Sequence, residues 1–521
     1  MYNYLYFLIW LIIVVVYILY KYNKRKYAQI KRISPFQNKV RPVIMIIIDS
    51  LMTPPLQEAI RQDKAPALAF LLENGVLYPH LVTTFPTMSV SIDSTLLTGA
   101  TPNQHKIFGL SYFHRDEQRM INFGTGPRET IAFGIKRVLQ DSIEKLNQKY
   151  LNKETKTIHE EAPGPTASIN GLIYRGKIEH TLRPPLLATL LGFLPRKIKT
   201  KGPEILSFGS LAKFDPDTVY DQLIFRSGIN SKFSRMELIS LIKNDRLPSF
   251  SLVYLSDNDQ VVHRKGPTTI KGIEKADQEL AKILNAYPSW DRAIEQATWI
   301  VLGDSGQTAM VTDPAKMYVD LRKLLSNYRI MPLKRAKPIS SDQIVICANE
   351  RMAYIHVVDP TIPLPEVRKA FCREPRIDLI AWCEDDWIHV ESGQQEGHFQ
   401  YRPNGEYFDE YQQTWEIQGD PSLLDLTVDD EKLIQYGNYP DALSRLAGVI
   451  EVGERVIILT VLPGYEMIAE STPKHKGACH GSLHYLDSVV PMIVCGTDQK
   501  PDFLRIIDLK NWILQLITPK S

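Results

Sequence analysis

The sequence predicts an α/β protein built on a mostly parallel sheet flanked by helices, and two observations carry that prediction. Three apolar runs end in aspartate: Val43–Ile48 before Asp49, Phe250–Leu255 before Asp257 and Asp259, and Thr298–Gly303 before Asp304. Continuous β-branched runs of this length read as strands buried on both faces, the signature of a parallel sheet. Helix-like segments separate them, as parallel connections require. The carboxyl ends of such strands form the rim where ligands bind. Carboxylates gathered there repel one another unless a cation sits between them, so the pattern points to a divalent metal.

The elements follow in order. From Tyr2 to Tyr20 there is no charged side chain, a length that suffices to span a bilayer. Its tyrosines and Trp10 suit interface anchors, and no small-residue cleavage site follows, so a retained transmembrane helix is expected. The basic run Lys21-Tyr22-Asn23-Lys24-Arg25-Lys26 lies on its carboxyl side, which by charge bias places the body in the cytoplasm. Residues 1–41 are thus read as anchor and juxtamembrane linker. Residues 42–309 form the first part of a catalytic α/β core, with an insertion at about 120–240. Within it Glu58–Asn74, Glu129–Lys153 and Glu274–Asn285 read as helices, and Ala167–Tyr174 as a strand. Leu182–Thr200, rich in Leu, Pro and basic residues, reads as a lid or surface-active segment. Residues 310–440 carry short strand candidates (Ile344–Cys347, Met352–Val358, Trp387–Val390) and a helix near Pro365–Phe371, the mixture of an α+β insertion or cap. Residues 441–521 return to the core, with strands at Val456–Leu462 and Val489–Cys495.

Composition excludes some classes. With 61 Lys+Arg against 59 Asp+Glu over 521 residues, the formal charge of +2 gives no basis for general nucleic-acid binding. The five cysteines are odd in number and form no CxxC pair, so reduced thiols are expected rather than a disulfide frame.

Candidate chemistry gathers at four places. Asp259 and His263 stand four apart just past a strand, a spacing that turns both onto one metal, with Asp257 as a rival carboxylate. Asp49 and Asp304 sit at the two other strand ends, where turn formation or helix capping is the ordinary role of a lone aspartate. Ser89, with Thr87 and Ser91 as rival hydroxyls, lies where a helix begins. A hydroxyl there is a nucleophile once a metal stabilises its alkoxide, and the free N–H groups favour a phosphate. His480 is glycine-flanked and free to reach a metal, while His475 and His484 read as surface alternatives.

The ordered set resembles the type I phosphodiesterase/nucleotide pyrophosphatase family of the alkaline phosphatase superfamily. The matching segments are the Asp49 strand, FPTMSVSIDSTLLTGATPNQHKI, DNDQVVHRKGP, VLGDSGQT and CHGSLHYLDSVVPMIVCG. The resemblance implies an alkaline-phosphatase-like fold and two divalent ions, usually zinc. It places Asp259, His263 and His480 on the first, and Asp49, Asp304 and the Ser89 oxygen on the second. It implies double in-line displacement on a nucleotide or other small phosphate ester, in which Ser89 attacks phosphorus and water hydrolyses the phosphoseryl intermediate. It also places the catalytic domain outside the cytoplasm, against the charge bias. Two departures stand out. Ser305 replaces the family's histidine at the second site, leaving a harder donor set open to zinc, manganese or magnesium. Ser91 and Ile92 replace the family's proline and asparagine, which removes a phosphoryl donor that Asn258 could supply. The same centre could serve a phosphomonoesterase or phosphonate hydrolase, and a non-catalytic membrane-tethered binding protein is the rival from another class.

Overall fold

Strand Val43–Ile48 is the middle of the molecule, with all six side chains buried. It pairs in parallel with Phe250–Leu255 on one side and with Thr298–Leu302 on the other. A computed structural model describes residues 34–214, 229–470 and 472–519. Its main sheet has seven strands, in the order Gly75–Val82, Val489–Cys495, Thr298–Leu302, Val43–Ile48, Phe250–Leu255, Thr166–Ile169 and Ile205–Ser207. Only Val489–Cys495 runs against its neighbours, so the sheet is mixed but mostly parallel. Because every run is apolar on both faces, two cores form. One packs Met45, Ile47 and Leu252 against helices Ser89–Thr98 and Leu509–Ile517; the other packs Ile44, Ile46 and Val253 against Pro66–Glu73 and Lys271–Leu284.

Helix boundaries differ from the sequence reading where Gly and Pro intervene. Glu58–Asn74 is two helices, Thr53–Arg61 and Pro66–Glu73, because Pro66 starts a new one and Asp63 turns left-handed at φ 55°. The expected Glu129–Lys153 helix breaks at Gly134, φ 106°, and continues in π geometry over Gln140–Tyr150. The strand expected over Ala167–Tyr174 spans only Thr166–Ile169 before Asn170 turns. In the Leu182–Thr200 segment, helix Leu186–Leu190 buries no side chain, leaving Leu187 and Leu190 exposed.

A second, nine-stranded sheet lies beyond residue 340. It includes Ile344–Asn349, Met352–Val357, Ile377–Glu384 and Trp387–Ser392. Strand Val456–Val461, expected in the main core, instead joins this sheet between Met352–Val357 and Ile377–Glu384. An apolar run states that it will be buried, not which sheet will bury it. The expected anchor at Tyr2–Tyr20 lies outside the described residues, and no helix among the described residues is long and apolar enough to cross a membrane.

Candidate metal centre

The three strand-terminal aspartates meet because the three strands are adjacent and in register. Asp49 follows the central strand, and the side-chain amide of Asn258 clamps the backbone there by donating to Asp49 O and Ser50 O at 2.8 and 3.0 Å. That engagement leaves Asn258 no free N–H for a phosphoryl group, so it does not fill the role expected of it. Asp257 is also otherwise occupied: its Oδ2 accepts from Ser231 N at the start of helix Ser231–Lys243. Asp259 is therefore the ligand candidate of the pair.

Asp259 and His263 lie on helix Asp257–Lys265, one turn apart, with Oδ1 3.1 Å from Nε2. His480 Nε2 lies 4.0 Å from the same oxygen. Both imidazoles are fixed through their other nitrogen: His263 Nδ1 is 2.8 Å from Ala478 O, and His480 Nδ1 bonds Thr87 O. Anchoring one nitrogen on a carbonyl orients the other for a metal. His480 reaches this place because Ala478–Cys479 pairs with Thr308–Ala309, just past Asp304. Asp259, His263 and His480 are one of two groups among the described residues whose donor atoms converge closely enough to hold an ion. Two imidazoles and one carboxylate suit zinc, and they fit the implied first ion.

The carboxylate and the imidazole beside it compensate each other's charge. Burial pulls the His263 imidazolium down, but the Asp259 carboxylate overrides it and lifts His263 to about 10. Burial would raise Asp259, yet His263 and His480 hold it below the usual carboxylate range.

The second set is assembled differently. Asp304 is fully buried, with Oδ1 accepting from Ser50 N and Ser305 N at 2.8 Å each and Oδ2 accepting from Tyr254 Oη at 3.0 Å. The Tyr254 hydroxyl is also close enough to Asp49 and Ser89 to influence the protonation of this group. Burial, then Asp304 and Asp259, push Asp49 well above the usual range; Asp93, buried on the Ser89 helix, is raised by burial and Asp304. Ser305 Oγ lies 3.4 Å from Ser50 Oγ. A phenol thus stands against the Asp304 carboxylate, while Ser305, at the position where a histidine ligand was expected, faces Ser50.

Ser89 opens helix Ser89–Thr98 and is the half-buried hydroxyl facing this rim. Its rivals have structural duties: Thr87 Oγ1 accepts from Gly481 N at 2.7 Å, and Ser91 Oγ donates to Ile107 O at 3.1 Å. Gln307 donates to Asp259 Oδ1 at 2.7 Å. Beside Gln307 a mostly apolar cavity of about 980 Å³ opens, lined by Met52, Pro54, Met310 and Leu486; it adjoins the cluster rather than containing it.

Two histidines expected at the surface are not there. His484 is buried and caps helix Tyr485–Ser488 through Nδ1. His475 stacks on His263, ring centroids 4.1 Å apart, and its Nδ1 is 2.8 Å from Glu466 Oε1. With Glu350 it forms the second convergent group, His263, Glu350 and His475. Glu350, Tyr254 and Gln307 were missed in the sequence, and so was Asp93, although it stands one helical turn after Ser89.

A strand rim of carboxylates, a hydroxyl at a helix start and an Asp–His–His cluster define a hydrolytic, candidate metal-dependent centre on an alkaline-phosphatase-like α/β fold. The chain belongs to the type I phosphodiesterase/nucleotide pyrophosphatase family, whose model matches residues 43–368, and is by that membership a hydrolase of phosphate esters. The matched span holds Asp49, Ser89, Asp259, His263 and Asp304; His480 lies beyond it. Among solved structures, the chain resembles murine ectonucleotide pyrophosphatase/phosphodiesterase 5 at 12% identity and TM-score 0.55, covering 92% of this chain and 96% of that one. Phosphonoacetate hydrolase from Sinorhizobium meliloti 1021, in complex with phosphonoacetate, is similar at 14% identity and TM-score 0.53, covering 93% and 100%. Comparison with curated protein sequences gives no match.

Proposed function

We propose that the protein is a metal-dependent phosphodiesterase or nucleotide pyrophosphatase that works through a phosphoseryl intermediate on Ser89. The observation that supports it best is the convergence of Asp259, His263 and His480 with both ring Nδ1 atoms already committed to backbone carbonyls, one of them on Thr87, two residues before Ser89. Asp259, His263 and His480 would hold the first ion; Asp49, Asp304 and Ser89 Oγ would be the residues available to a second. Bound divalent ions supply Lewis-acid polarisation of a phosphoryl oxygen and a lowered pKa for water.

The chain's own groups divide the remaining work. Ser89 is the nucleophile, set at the start of a ten-residue helix whose free N–H groups face incoming negative charge. The Tyr254 hydroxyl, bonded to Asp304 and lying near Ser89, offers the serine proton a path to a carboxylate. The buried Asp49, Asp93 and Asp304 would repel a phosphate by themselves, which is why the site needs positive charge.

Purified full-length protein supplied with zinc or manganese should hydrolyse bis-p-nitrophenyl phosphate, and Ser89→Ala and Asp259→Ala should each abolish turnover. A preference for the mono-ester, or turnover of phosphonoacetate, would favour the phosphomonoesterase or phosphonate hydrolase reading, which the similarity to phosphonoacetate hydrolase supports. Metal content near zero with no turnover under any divalent ion would leave a tethered binding protein. We further propose that Tyr2–Tyr20 anchors the chain in a membrane, with the charge pattern favouring a cytoplasmic body. A carboxyl-terminal reporter active only outside the cytoplasm would reverse that orientation.

A further inference from the structure

The ion-binding cluster does not end at the main sheet. Glu350 is the first residue of the two-residue hairpin turn between strands Ile344–Asn349 and Met352–Val357 of the second sheet, and its backbone is left-handed at φ 57° as such turns require. Neighbouring residues fix the turn on both sides. Asn349 exchanges hydrogen bonds with the Ser111 backbone at 2.9 and 2.7 Å. Arg351 N donates to His480 O at 3.0 Å, and Met467 N donates to Glu350 O at 2.7 Å. The turn is therefore tied directly to the segment that carries His480.

This geometry aims the Glu350 carboxylate at the cluster. Oε2 accepts from His480 N at 3.2 Å and lies 4.0 Å from His480 Nε2. Asp259 Oδ1 lies at the same 4.0 Å from that nitrogen. His263 belongs to both convergent groups, one with Asp259 and His480, the other with Glu350 and His475. Glu350 thus approaches His480 as closely as Asp259 does and reaches the cluster through His263, the residue common to both groups. Behind the carboxylate stands His475, its Nδ1 3.8 Å from Glu350 Oε2 and 2.8 Å from Glu466 Oε1, its ring stacked on His263. Glu466 also accepts from His475 N at 2.9 Å, so the pair is fixed through backbone as well as side chain. Charge counts the same way: Asp259 alone leaves a divalent ion with one uncompensated positive charge, and a second carboxylate cancels it.

We propose that Glu350 is a fourth protein ligand of the ion held by Asp259, His263 and His480, with His475 and Glu466 holding its carboxylate in place. This rests on the reading of those three residues as an ion site. The second sheet thereby contributes directly to the metal centre, and the ion joins the two sheets. Asp259, His263, His480 and Glu350 would then hold an ion that would supply Lewis-acid chemistry to a bound phosphate ester.

The test uses full-length protein, zinc affinity by competition with a chromophoric chelator, and the visible spectrum of the cobalt(II)-loaded form. Glu350→Ala should weaken zinc by 10-fold or more and shift the cobalt bands; Glu350→Gln, nearly isosteric, should do so with an unchanged far-UV circular dichroism spectrum. His475→Ala should weaken binding by a smaller factor than Glu350→Ala, because it removes a supporting contact and not a ligand. If wild type binds an ion that Asp259→Ala abolishes, while both Glu350 variants keep its affinity within twofold and its cobalt spectrum, Glu350 is no ligand and the proposal fails alone. If wild type binds no ion, the site reading and the proposal fall together.

Discussion

Asp487→Ala should be among the most destabilising single substitutions in this protein, because it would strand a buried guanidinium. Arg351 and Asp487 are both fully buried and ion-paired through Nη1 and Oδ1. Arg351 also donates to Thr308 Oγ1 at 2.7 Å and Val461 O at 3.0 Å, and its Nε has no partner. Asp487 in turn accepts from Thr308 Oγ1 at 2.6 Å and Ser482 N at 2.8 Å. Removing the carboxylate leaves a buried charge with two neutral acceptors, a loss of about 3–5 kcal/mol. Arg351→Met should cost less, about 2 kcal/mol, because Asp487 keeps two donors. The double variant Arg351→Met/Asp487→Leu should recover most of the loss, since a well-packed apolar pair replaces a buried ion pair at little net change. Urea denaturation followed by far-UV circular dichroism measures all three. A loss below about 1 kcal/mol for Asp487→Ala, or additive losses in the double variant, would refute the reasoning.

Three further outcomes are expected. Burial lowers His105, His159 and His356 to about 3 each. The unfolded chain therefore takes up protons first as pH falls below the ordinary value of 6.5, and stability declines between there and about 3 by roughly 1.4 kcal/mol per pH unit for each ring. Neither nitrogen of His159 has a partner, so His159→Leu should flatten the pH dependence of the urea midpoint between pH 6 and 4 by one ring's share; an unaltered slope would contradict this. At Gly477 an added Cβ would meet backbone atoms of Arg264, Gly266 and Lys265 at 2.6, 2.7 and 2.8 Å. Gly477→Ala should thus push the His480 segment off the His263 helix and weaken zinc by about 10-fold or more, read by chelator competition; unchanged affinity would show that the close approach does not set the ligand geometry. Tyr254→Phe removes the donor to Asp304 Oδ2 and should change the manganese or zinc bound per chain, read by elemental analysis. A constant ratio would show that the phenol is not what governs the second position.

Much of the centre could be read along the chain. Asp49, Asp259 and Asp304 were visible because a buried strand announces itself by an unbroken apolar run and its end marks the rim. Ser89 and His480 needed the order of segments around them, since a serine at a helix start or a glycine-flanked histidine is ordinary alone. His475 read as a surface alternative to His480, yet His475 N and Nδ1 are both held by the buried Glu466. Tyr254 carried a signal that went unused: it is the one hydroxylated aromatic in its strand, one residue before the strand's last, Leu255.

The sequence by itself marked the central apolar strands and named Asp49, Asp259, His263, Asp304 and His480 as candidates, because these depend on side-chain chemistry and short-range periodicity. Tertiary structure alone decided that Val456–Val461 joins the second sheet, that Glu350 faces His480, and that a tyrosine hydroxyl meets Asp304. Those are matters of long-range pairing and register, in which residues far apart in the chain become neighbours, and no local pattern encodes them.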